Sequence, residues 1–333
     1  MNVVVNGRFL GRHITGVERY GREILCRLGG NHKVVRSGSW SNGMRGHLWE
    51  QFALPGQVGY DHILWSPANT GPLRIENQVL TLHDLSPLEH PEWYQPAFAL
   101  WYRMFMPLLV MKVRRVVVPS EFVKAKMLRR FNLSNRHITV VSGGVDTRRF
   151  HPGAEQRLDL PERYVLFVGS LQARKNLARL LEAWQQMKEA VPDAWLVIAG
   201  AGSKIFRPMR LASGERVTFL GSICESDLPG LYAHATLFIL PSLDEGFGLP
   251  TLEAMASGTP VVASNASALP EVVGEAGLFF DPLDISGMAD ALRGGLTDIP
   301  LQNSLRERGL IWSHCFSWQN AADKLWKVFK ECQ

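Results

Sequence analysis

The chain has 333 residues, of which 46% are hydrophobic and 20% charged, and its formal net charge is +5. This is the composition of a globular protein with enough chain for two hydrophobic cores, which excludes a disordered or fibrous chain. The cations are spread along the sequence and form no basic arm, so we expect no nucleic acid partner. The mild positive charge suits an anionic ligand or an anionic membrane surface.

The four cysteines are scattered without paired spacing: Cys26, Cys224, Cys315 and Cys332. Such a pattern predicts reduced thiols in a cytoplasmic protein. The N-terminal residues lack a charged region followed by a long apolar run, which predicts no signal peptide. The most apolar stretch, Ala97–Val113, contains Arg103, Pro107 and Lys112, and is too short and too interrupted to cross a bilayer.

Short apolar runs alternate with amphipathic stretches in the first half of the chain, which is typical of a parallel α/β sheet. Strands are predicted at 3–5, 34–35, 62–65, 79–82, 116–118 and 138–141, and helices at 17–28, 48–54, 97–112 and 121–131. We therefore predict a doubly wound, Rossmann-like domain over residues 1–150.

Residues 142–161 are rich in glycine, proline and charge without an apolar period, which predicts a linker. The alternation then restarts, with strands predicted at 164–168, 194–199, 217–219, 237–240 and 260–263. Helices are predicted at 176–190, 227–234, 250–256, 288–293, 304–314 and 317–329. A second doubly wound α/β domain is predicted over residues 151–316.

Ligands of such sheets bind beyond the carboxyl ends of the strands. Four loops follow predicted strands there, at 7–16, 83–84, 169–176 and 244–249. Two come from each domain, so we expect the domains to face each other across a cleft that holds the site.

The loop around Gly246, Phe247 and Gly248 lies between two carboxylates, Glu245 and Glu253. Its glycines allow a close approach to a ligand, and the following helix N-terminus favours an anion such as phosphate. The two glutamates could accept hydrogen bonds from hydroxyls at either end, which describes a nucleotide sugar. The alternative is an ordinary loop with two solvated glutamates.

Two cations, Arg174 and Lys175, stand between Gly169 and a helix that begins near Asn176. Cations oppose the helix dipole at that end, so their placement favours neutralisation of a diphosphate, with Lys175 the stronger candidate. The alternative is merely a positively charged helix start.

His83 and Asp84 follow the predicted strand at 79–82. The histidine could bond a sugar hydroxyl or a transition-state group, while Asp84 could orient it or cap the next turn. The alternative is that His83 and Asp84 only stabilise the turn after the strand. Because no Asp-x-Asp motif and no His or Cys cluster of ligand spacing occurs in the sequence, no metal site is predicted.

The aromatic stretch Trp93–Val113 allows two interpretations. Its aromatic side chains and the cations at its end could face an acceptor or a membrane. Aromatic residues at helical spacing more commonly belong to a core, so a helix packed on the sheet is the alternative.

The runs EGFGLPTLE, FVGSLQARKN, LHDLSP, VVPSEF and SGGVDTRRF together resemble the retaining glycosyltransferases of family 4, which have the glycosyltransferase-B fold. The matches extend from Gly16 to Phe280. The form LHDLSPLEHPEW is most similar to bacterial mannosyltransferases that build O-antigen from GDP-mannose.

The resemblance implies roles for single residues. The donor sugar would contact Glu245, the ribose Glu253, and the diphosphate Lys175 and Arg174. The family's backbone contacts to sugar and phosphate would fall on the loop residues Gly169, Gly246, Phe247, Gly248 and Leu249. The family's histidine near the reaction centre corresponds to His83, and the loop glycine beside the diphosphate and acceptor to Gly16. Ser170 stands where many members carry an arginine, which leaves phosphate neutralisation to Lys175 and Arg174.

We therefore expect a metal-independent, retaining hexosyltransferase that needs no cofactor and moves mannose from GDP-mannose onto a saccharide or lipid-linked oligosaccharide. Its catalytic residues would be His83, Glu245 and Lys175. By resemblance, the helix at 317–329 would cross back to the first domain. A cytoplasmic location, with peripheral contact to the inner face of the membrane, is the corresponding hypothesis.

Three alternatives stay open from the sequence. The first is a nucleotide-sugar epimerase or hydrolase on the same scaffold. The second is transfer of rhamnose, glucose or GlcNAc from another nucleotide. The third is a two-domain protein that binds a sugar without chemistry.

Overall fold

The computed structural model describes residues 2–203, 205–207 and 214–333. The chain divides into two compact units. Unit 1 comprises Met1–Glu89, Ala97–Gly143 and Trp318–Gln333, and unit 2 comprises His90–Pro96 and Gly144–Ser317. The division after Gly143 falls within the glycine- and proline-rich stretch 142–161.

Over the described residues, unit 1 contains a six-stranded parallel sheet in the order β2-β1-β3-β4-β5-β6. Its strands are β1 (Val3–Asn6), β2 (His32–Val35), β3 (Ile63–Ser66), β4 (Gln78–Thr81), β5 (Arg115–Val118) and β6 (Ile138–Val140). Its first five helices are α1 (Gly16–Leu25), α2 (Gly43–Leu48), α3 (Ser86–Glu89), α4 (Pro96–Lys112) and α5 (Glu121–Phe131). A π-helical turn, Trp49–Ala53, continues α2.

Unit 2 contains, over its described residues, a second six-stranded parallel sheet in the order β12-β11-β10-β7-β8-β9. The strands are β7 (Tyr164–Val168), β8 (Trp195–Ala199), β9 (Val217–Gly221), β10 (Leu237–Leu240), β11 (Val261–Ser264) and β12 (Gly277–Phe280). The helices are α6 (Leu177–Met187), α7 (Leu228–Ala233), α8 (Leu249–Ala256), α9 (Leu269–Val273), α10 (Ile285–Thr297) and α11 (Ile299–Ser313).

The last helix, α12 (Trp318–Glu331), packs on unit 1 although it follows unit 2 in the chain. Its Trp318 ring meets Tyr20 of α1 edge-on at 5.8 Å, and Phe329 lies 6.2 Å from Trp65 of β3, both measured between ring centroids. A Cβ at Gly30 would stand 2.1 Å from the Trp326 ring, so this glycine lets the helix approach. The helix α12 therefore belongs to the packed core of unit 1.

The prediction of two doubly wound parallel sheets is confirmed. The sequence pattern missed β12, a four-residue strand whose first three residues are only half-buried. It also missed the short helices α3 and α9. Elements this short give too few positions for a period to emerge.

The inner strands β1, β3, β10 and β11 are buried along their whole length, as expected for parallel strands covered on both faces, whereas the edge strands β2 and β9 are partly exposed. In unit 1, one side of α4 contributes Met106, Leu109 and Val110 to a core with Leu80 and Val116. For this buried side of the helix, the core interpretation of the stretch Trp93–Val113 is correct.

A buried polar network lies at the carboxyl ends of β1 and β3, where the sheet of unit 1 changes direction. Arg8 forms an ion pair with Glu50, and their side chains are only 3% and 2% exposed. The Glu50 carboxylate also accepts hydrogen bonds from Asn6 Nδ2 at 2.8 Å and from Thr70 Oγ1 at 3.0 Å. His47 Nδ1 lies 3.1 Å from Arg8 Nη1. The network anchors the start of the loop at 7–16.

Replacing Glu50 with alanine should destabilise unit 1 by about 3–5 kcal/mol, because the change leaves the Arg8 guanidinium buried without its anion. Hydrogen exchange of the β1 and β3 amides, followed by mass spectrometry, measures this unit specifically. The control is Glu121→Ala, which removes an exposed pair with Lys124 and should cost less than about 1 kcal/mol. Equal effects of the two variants would contradict the assigned role of the network.

Candidate functional site

The loops that follow β7 and β10 leave the sheet of unit 2 at neighbouring positions. The chain builds this sheet outward from β7, first through β8 and β9 and then on the other side through β10 to β12. Loops that diverge at such a reversal open a crevice beyond the strand ends. Residues 169–176 and 241–248 therefore meet at one edge of the sheet.

The cations of the first loop lie on a short 3₁₀ turn, Ala173–Lys175. Asn176 follows in the left-handed region, with φ of +59°, and its side-chain amide donates to the Pro282 carbonyl at 2.7 Å. This bond fixes the turn where α6 begins. Lys175 is thereby held in the interior, with 6% of its surface exposed.

Glu245 receives both cations. Lys175 Nζ forms an ion pair with Oε1, and Arg174 Nη1 lies 2.8 Å from Oε2. Ser242 Oγ donates to Oε1 at 2.7 Å, and the Glu245 backbone N–H donates to Ser267 Oγ at 2.9 Å. We call Arg174, Lys175 and Glu245 the Glu245 clamp. Arg174 Nη1 also donates to the backbone carbonyl of Asp244 at 2.6 Å, and Asp244 is buried next to Glu245.

Burial alone would raise the pKa of the Glu245 carboxyl. The charges of Arg174 and Lys175, with hydrogen bonds from Lys175 and Ser242, outweigh burial and hold that pKa at about 2. Glu245 is therefore ionised at neutral pH and is a weak base.

The glycine loop leads directly into α8. Gly248 has φ of +105°, and a Cβ there would lie 2.7 Å from the Leu269 side chain, so the position requires glycine. Phe247 packs against Phe316, with ring centroids 6.0 Å apart. Gly246 precedes this turn, and Leu249 is the first residue of α8. The predicted sequence of strand, glycine loop and helix is confirmed.

Glu253 lies on α8 and is also buried. Its Oε2 accepts a hydrogen bond from the Tyr232 hydroxyl at 2.9 Å. The two glutamates of the motif thus have different surroundings, because Glu245 lies against cations whereas Glu253 accepts from a phenol.

Gly169 follows β7, and its N–H donates to the Ala199 carbonyl at 3.0 Å. A Cβ at Gly200 would stand 1.8 Å from the Gly169 carbonyl oxygen, and Gly200 has φ of +142°. The two strand ends approach closely only because Gly200 has no side chain. The sequence analysis missed Gly200; its signal is a glycine directly after β8.

His83 and Gly16 belong to unit 1. Gly16 is the first residue of α1, and one turn later Tyr20 of this helix meets the His83 ring edge-on at a centroid distance of 4.9 Å. The His83 backbone N–H donates to Asn69 Oδ1 at 2.8 Å, and its Nε2 lies 2.8 Å from the Pro67 carbonyl oxygen. The structure thus brings His83 and α1 together.

Burial lowers the pKa of His83, against the smaller raising effects of the Pro67 carbonyl and the Asp84 charge. The carbonyl of Pro67 can only accept, so Nε2 carries the proton of a neutral imidazole. Nδ1 then keeps its lone pair and can accept a hydrogen bond from a hydroxyl. Two roles were considered for Asp84, orienting His83 or capping the next turn. The structure shows the capping role, since Asp84 Oδ1 accepts a hydrogen bond from the Ser86 N–H at 3.1 Å.

Four partners of the predicted site residues were not singled out from the sequence: Ser242, Ser267, Tyr232 and Asn69. Ser242 and Asn69 were detectable as polar residues just after β10 and β3. Ser267 and Tyr232 were not, because their contacts depend on tertiary packing.

Within the part of the chain that the structure describes, no three His, Cys, Asp or Glu side chains cluster as metal ligands would. Among the described residues, none of the helices has the length and apolarity needed to cross a membrane. The four cysteines are free thiols, three of them exposed and Cys332 buried.

Two family models match the chain in sequence order. The model "Glycosyltransferase Family 4" covers residues 39–149, and "Glycosyl transferases group 1" covers residues 162–298. The chain belongs to the family 4 glycosyltransferases. The predicted family and enzyme class, a hexosyltransferase, are thereby confirmed.

Relatives of this glycosyltransferase include two named O-antigen chain mannosyltransferases. Mannosyltransferase B of Escherichia coli is 29% identical over 81% of this chain and 74% of its own length. RfbU of Salmonella typhimurium is 27% identical over 71% of this chain and 65% of its own length. The chain thus spans slightly less than two thirds of RfbU.

Solved structures share the fold. Sucrose-phosphate synthase from Thermosynechococcus elongatus superimposes with a TM-score of 0.74 at 22% identity, covering 99% of this chain and 98% of that one. HepE from Anabaena, in complex with UDP-glucose, gives 0.73 at 18% identity, covering 99% of both. WaaG, a glycosyltransferase involved in lipopolysaccharide biosynthesis, gives 0.70 at 14% identity, covering 99% of both.

The glycosyltransferase should lose stability as the pH falls from 7.5 to 5.5. His83 has a lowered pKa in the folded protein, and burial and the nearby Arg8 and Arg12 charges lower that of His47 to about 3. The unfolded chain therefore binds protons below about pH 6.5 that the folded chain does not. Each histidine therefore stabilises the folded protein above that pH. Below it, the free energy of unfolding falls by about 1.4 kcal/mol per pH unit for each histidine.

Urea unfolding at the two pH values, followed by tryptophan fluorescence, measures this loss. The double variant His47→Gln, His83→Gln should flatten the pH dependence. The matched comparison is His151→Gln, on an exposed segment. An unchanged slope in the double variant would show that other groups control it.

Proposed function

We propose that the protein transfers a mannosyl residue from GDP-mannose to a saccharide acceptor, with retention of configuration and without a metal or other cofactor. The observation that carries the proposal is the Glu245 clamp at the point where the sheet of unit 2 reverses. The names of the E. coli and Salmonella relatives support the sugar and the context of O-antigen synthesis.

The clamp suits the departure of a nucleoside diphosphate. When the glycosidic bond breaks, its electron pair moves to the phosphate oxygen, and negative charge grows on the leaving group. Cations fixed in a buried site stabilise that charge without reorganising. Arg174 and Lys175 bring two cations to the strand ends, and the N-terminus of α8 adds its partial positive charge. In this proposal these groups stabilise the leaving diphosphate in place of a metal ion.

Glu245 acts in this proposal by orienting the donor sugar. A carboxylate with a pKa of about 2 that already accepts bonds from Lys175, Arg174 and Ser242 is a poor base and a poor nucleophile. It can still accept a hydrogen bond from a sugar hydroxyl. The acceptor hydroxyl would then attack from the face that the diphosphate leaves, and the departing phosphate oxygen would take its proton.

The family resemblance assigns the remaining positions. Glu253 would hold the ribose, and the backbone after Gly169 and Gly246 would approach the phosphates. His83 would accept a hydrogen bond from a sugar hydroxyl through Nδ1, and Gly16 would lie beside the acceptor. The acceptor itself would be a growing, lipid-linked saccharide at the cytoplasmic face of the membrane.

Two conservative variants test the clamp. Lys175→Met removes a cation that stabilises the leaving diphosphate, and Glu245→Gln removes the carboxylate that orients the donor sugar and holds both cations. Each should lower the transfer rate by about 10²–10³-fold. Lys175→Met should also weaken the binding of GDP measured by calorimetry. Lys188→Met is the matched control, because this lysine forms an ion pair with Glu215 outside the strand-end loops. Near-wild-type transfer by both clamp variants would refute the site.

The donor and the reaction type need a separate assay. With GDP-, UDP- and dTDP-sugars supplied in turn, the proposal expects GDP-mannose to be preferred and mannose to appear on the acceptor, with an unchanged rate in EDTA. NMR of the product should show the anomeric configuration of the donor. Isomerised or hydrolysed donor without any acceptor product would favour the epimerase or hydrolase, and loss of activity in EDTA would contradict metal independence.

A further inference from the structure

The outer side of α4 is apolar. Leu100, Met104, Leu108 and Met111 are 59%, 67%, 56% and 62% exposed. Their spacing of four, four and three residues places them in one stripe along the helix. Since the opposite side of α4 forms the core of unit 1, this stripe is additional to what folding requires.

A second apolar stripe runs along α2 and the π-helical turn that continues it. Met44, Leu48 and Phe52 follow at intervals of four residues and are 67%, 44% and 66% exposed. They too lie on one side, because Trp49 and Glu50 on the other side are buried.

The helices that carry the two stripes are in contact. The His47 ring of α2 contacts the Trp101 ring of α4, with centroids 4.1 Å apart. In the sequence, His47 directly precedes the stripe residue Leu48, and Trp101 directly follows the stripe residue Leu100. We call the seven stripe residues together the α2–α4 face: Met44, Leu48, Phe52, Leu100, Met104, Leu108 and Met111. Single exposed apolar residues are ordinary on protein surfaces, but seven on two helices that contact each other indicate an interaction site.

The exposed charges on the two helical segments that carry the α2–α4 face are of one sign. Arg45, Arg103 and Lys112 are exposed on the same helical segments. The described residues 43–53 and 96–112 contain one acid, Glu50, which is buried in its ion pair with Arg8. The exposed surface of both segments is therefore apolar and cationic.

We propose that the α2–α4 face docks in the interfacial region of a bilayer that contains anionic lipid. Helices with an apolar stripe flanked by Lys and Arg lie in the plane of that interface, with the stripe against the acyl chains and the cations at the headgroups. The α4 helix, about 25 Å long, lies along the surface. A second copy of the chain is a less suitable partner. In a symmetric dimer the cations of the two faces would lie against each other, and neither segment has an exposed acid to pair with them.

The inference deepens the proposed function, on which the lipid-linked acceptor rests. A protein docked through the α2–α4 face would meet such an acceptor at the surface where its lipid is embedded. The docking itself needs neither donor nor acceptor, so it can be measured independently of transfer.

Sedimentation with vesicles of phosphatidylethanolamine and phosphatidylglycerol tests the apolar stripe. The double variant Met104→Glu, Leu108→Glu should lower the bound fraction at least about tenfold, because it puts two carboxylates into the apolar, anionic interface. The matched control is Leu283→Glu, Ile311→Glu in unit 2, where the original residues are 63% and 66% exposed, and it should bind as the wild type does.

The cations are tested by Arg103→Gln and Lys112→Gln. Each should lower the affinity for the anionic vesicles about fivefold, and high salt should have a similar effect on the wild type. Neither change should affect the weaker binding to vesicles of phosphatidylcholine alone.

Three results would overturn the inference. They are no sedimentation of the wild type with anionic vesicles, equal losses in the stripe and control variants, or ultracentrifugation showing a wild-type dimer that the stripe variant dissociates. Transfer to a water-soluble acceptor separates this failure from failure of the proposed function. The stripe variant should retain that activity and Glu245→Gln should lose it.

Discussion

Two adjacent cations just before α6, the buried Lys175 and the partly buried Arg174, both pair with Glu245. The pair Arg174 and Lys175 comes from the loop after β7, and the carboxylate comes from the loop after β10, seventy residues on from Lys175. The contact exists because those two strands are neighbours in the sheet. Strand order, the tight turn at Gly248 and the position of α8 are all required for this one electrostatic contact, which links the fold of unit 2 to its chemistry.

Both sheets place an arginine and a glutamate where the strand order reverses, with different results. In unit 1 the Glu50 carboxylate is bonded by Arg8, Asn6 and Thr70, and both charges are almost wholly enclosed. There one arginine pairs with one glutamate, and the pair is suited to stabilising the loop at 7–16. In unit 2 two cations share the Glu245 carboxylate, and the cluster lies beside the glycine loop that leads into α8.

The parallel α/β architecture could be predicted because strands buried on both faces appear as continuous apolar runs. The loop motifs could be predicted because Glu245, Lys175 and the glycines lie close to strand ends. The partners were harder to predict. That Lys175 binds Glu245 follows from strand order, and Ser267 and Tyr232 come from other elements. The helix α4 shows a second limit, since it is apolar on nearly all sides and its composition alone does not reveal which side the core covers.

The packing of α12 on unit 1 has a consequence for synthesis. Tyr20, Gly30 and Trp65 belong to the earliest part of the chain, yet the side chains that cover them come from its last helix. At ribosomal rates the intervening residues take on the order of ten seconds to emerge. During that interval the nascent first unit exposes an aromatic surface, while unit 2 can already be complete. Unit 1 can therefore complete its packing only after the whole of unit 2 and α12 have been synthesised.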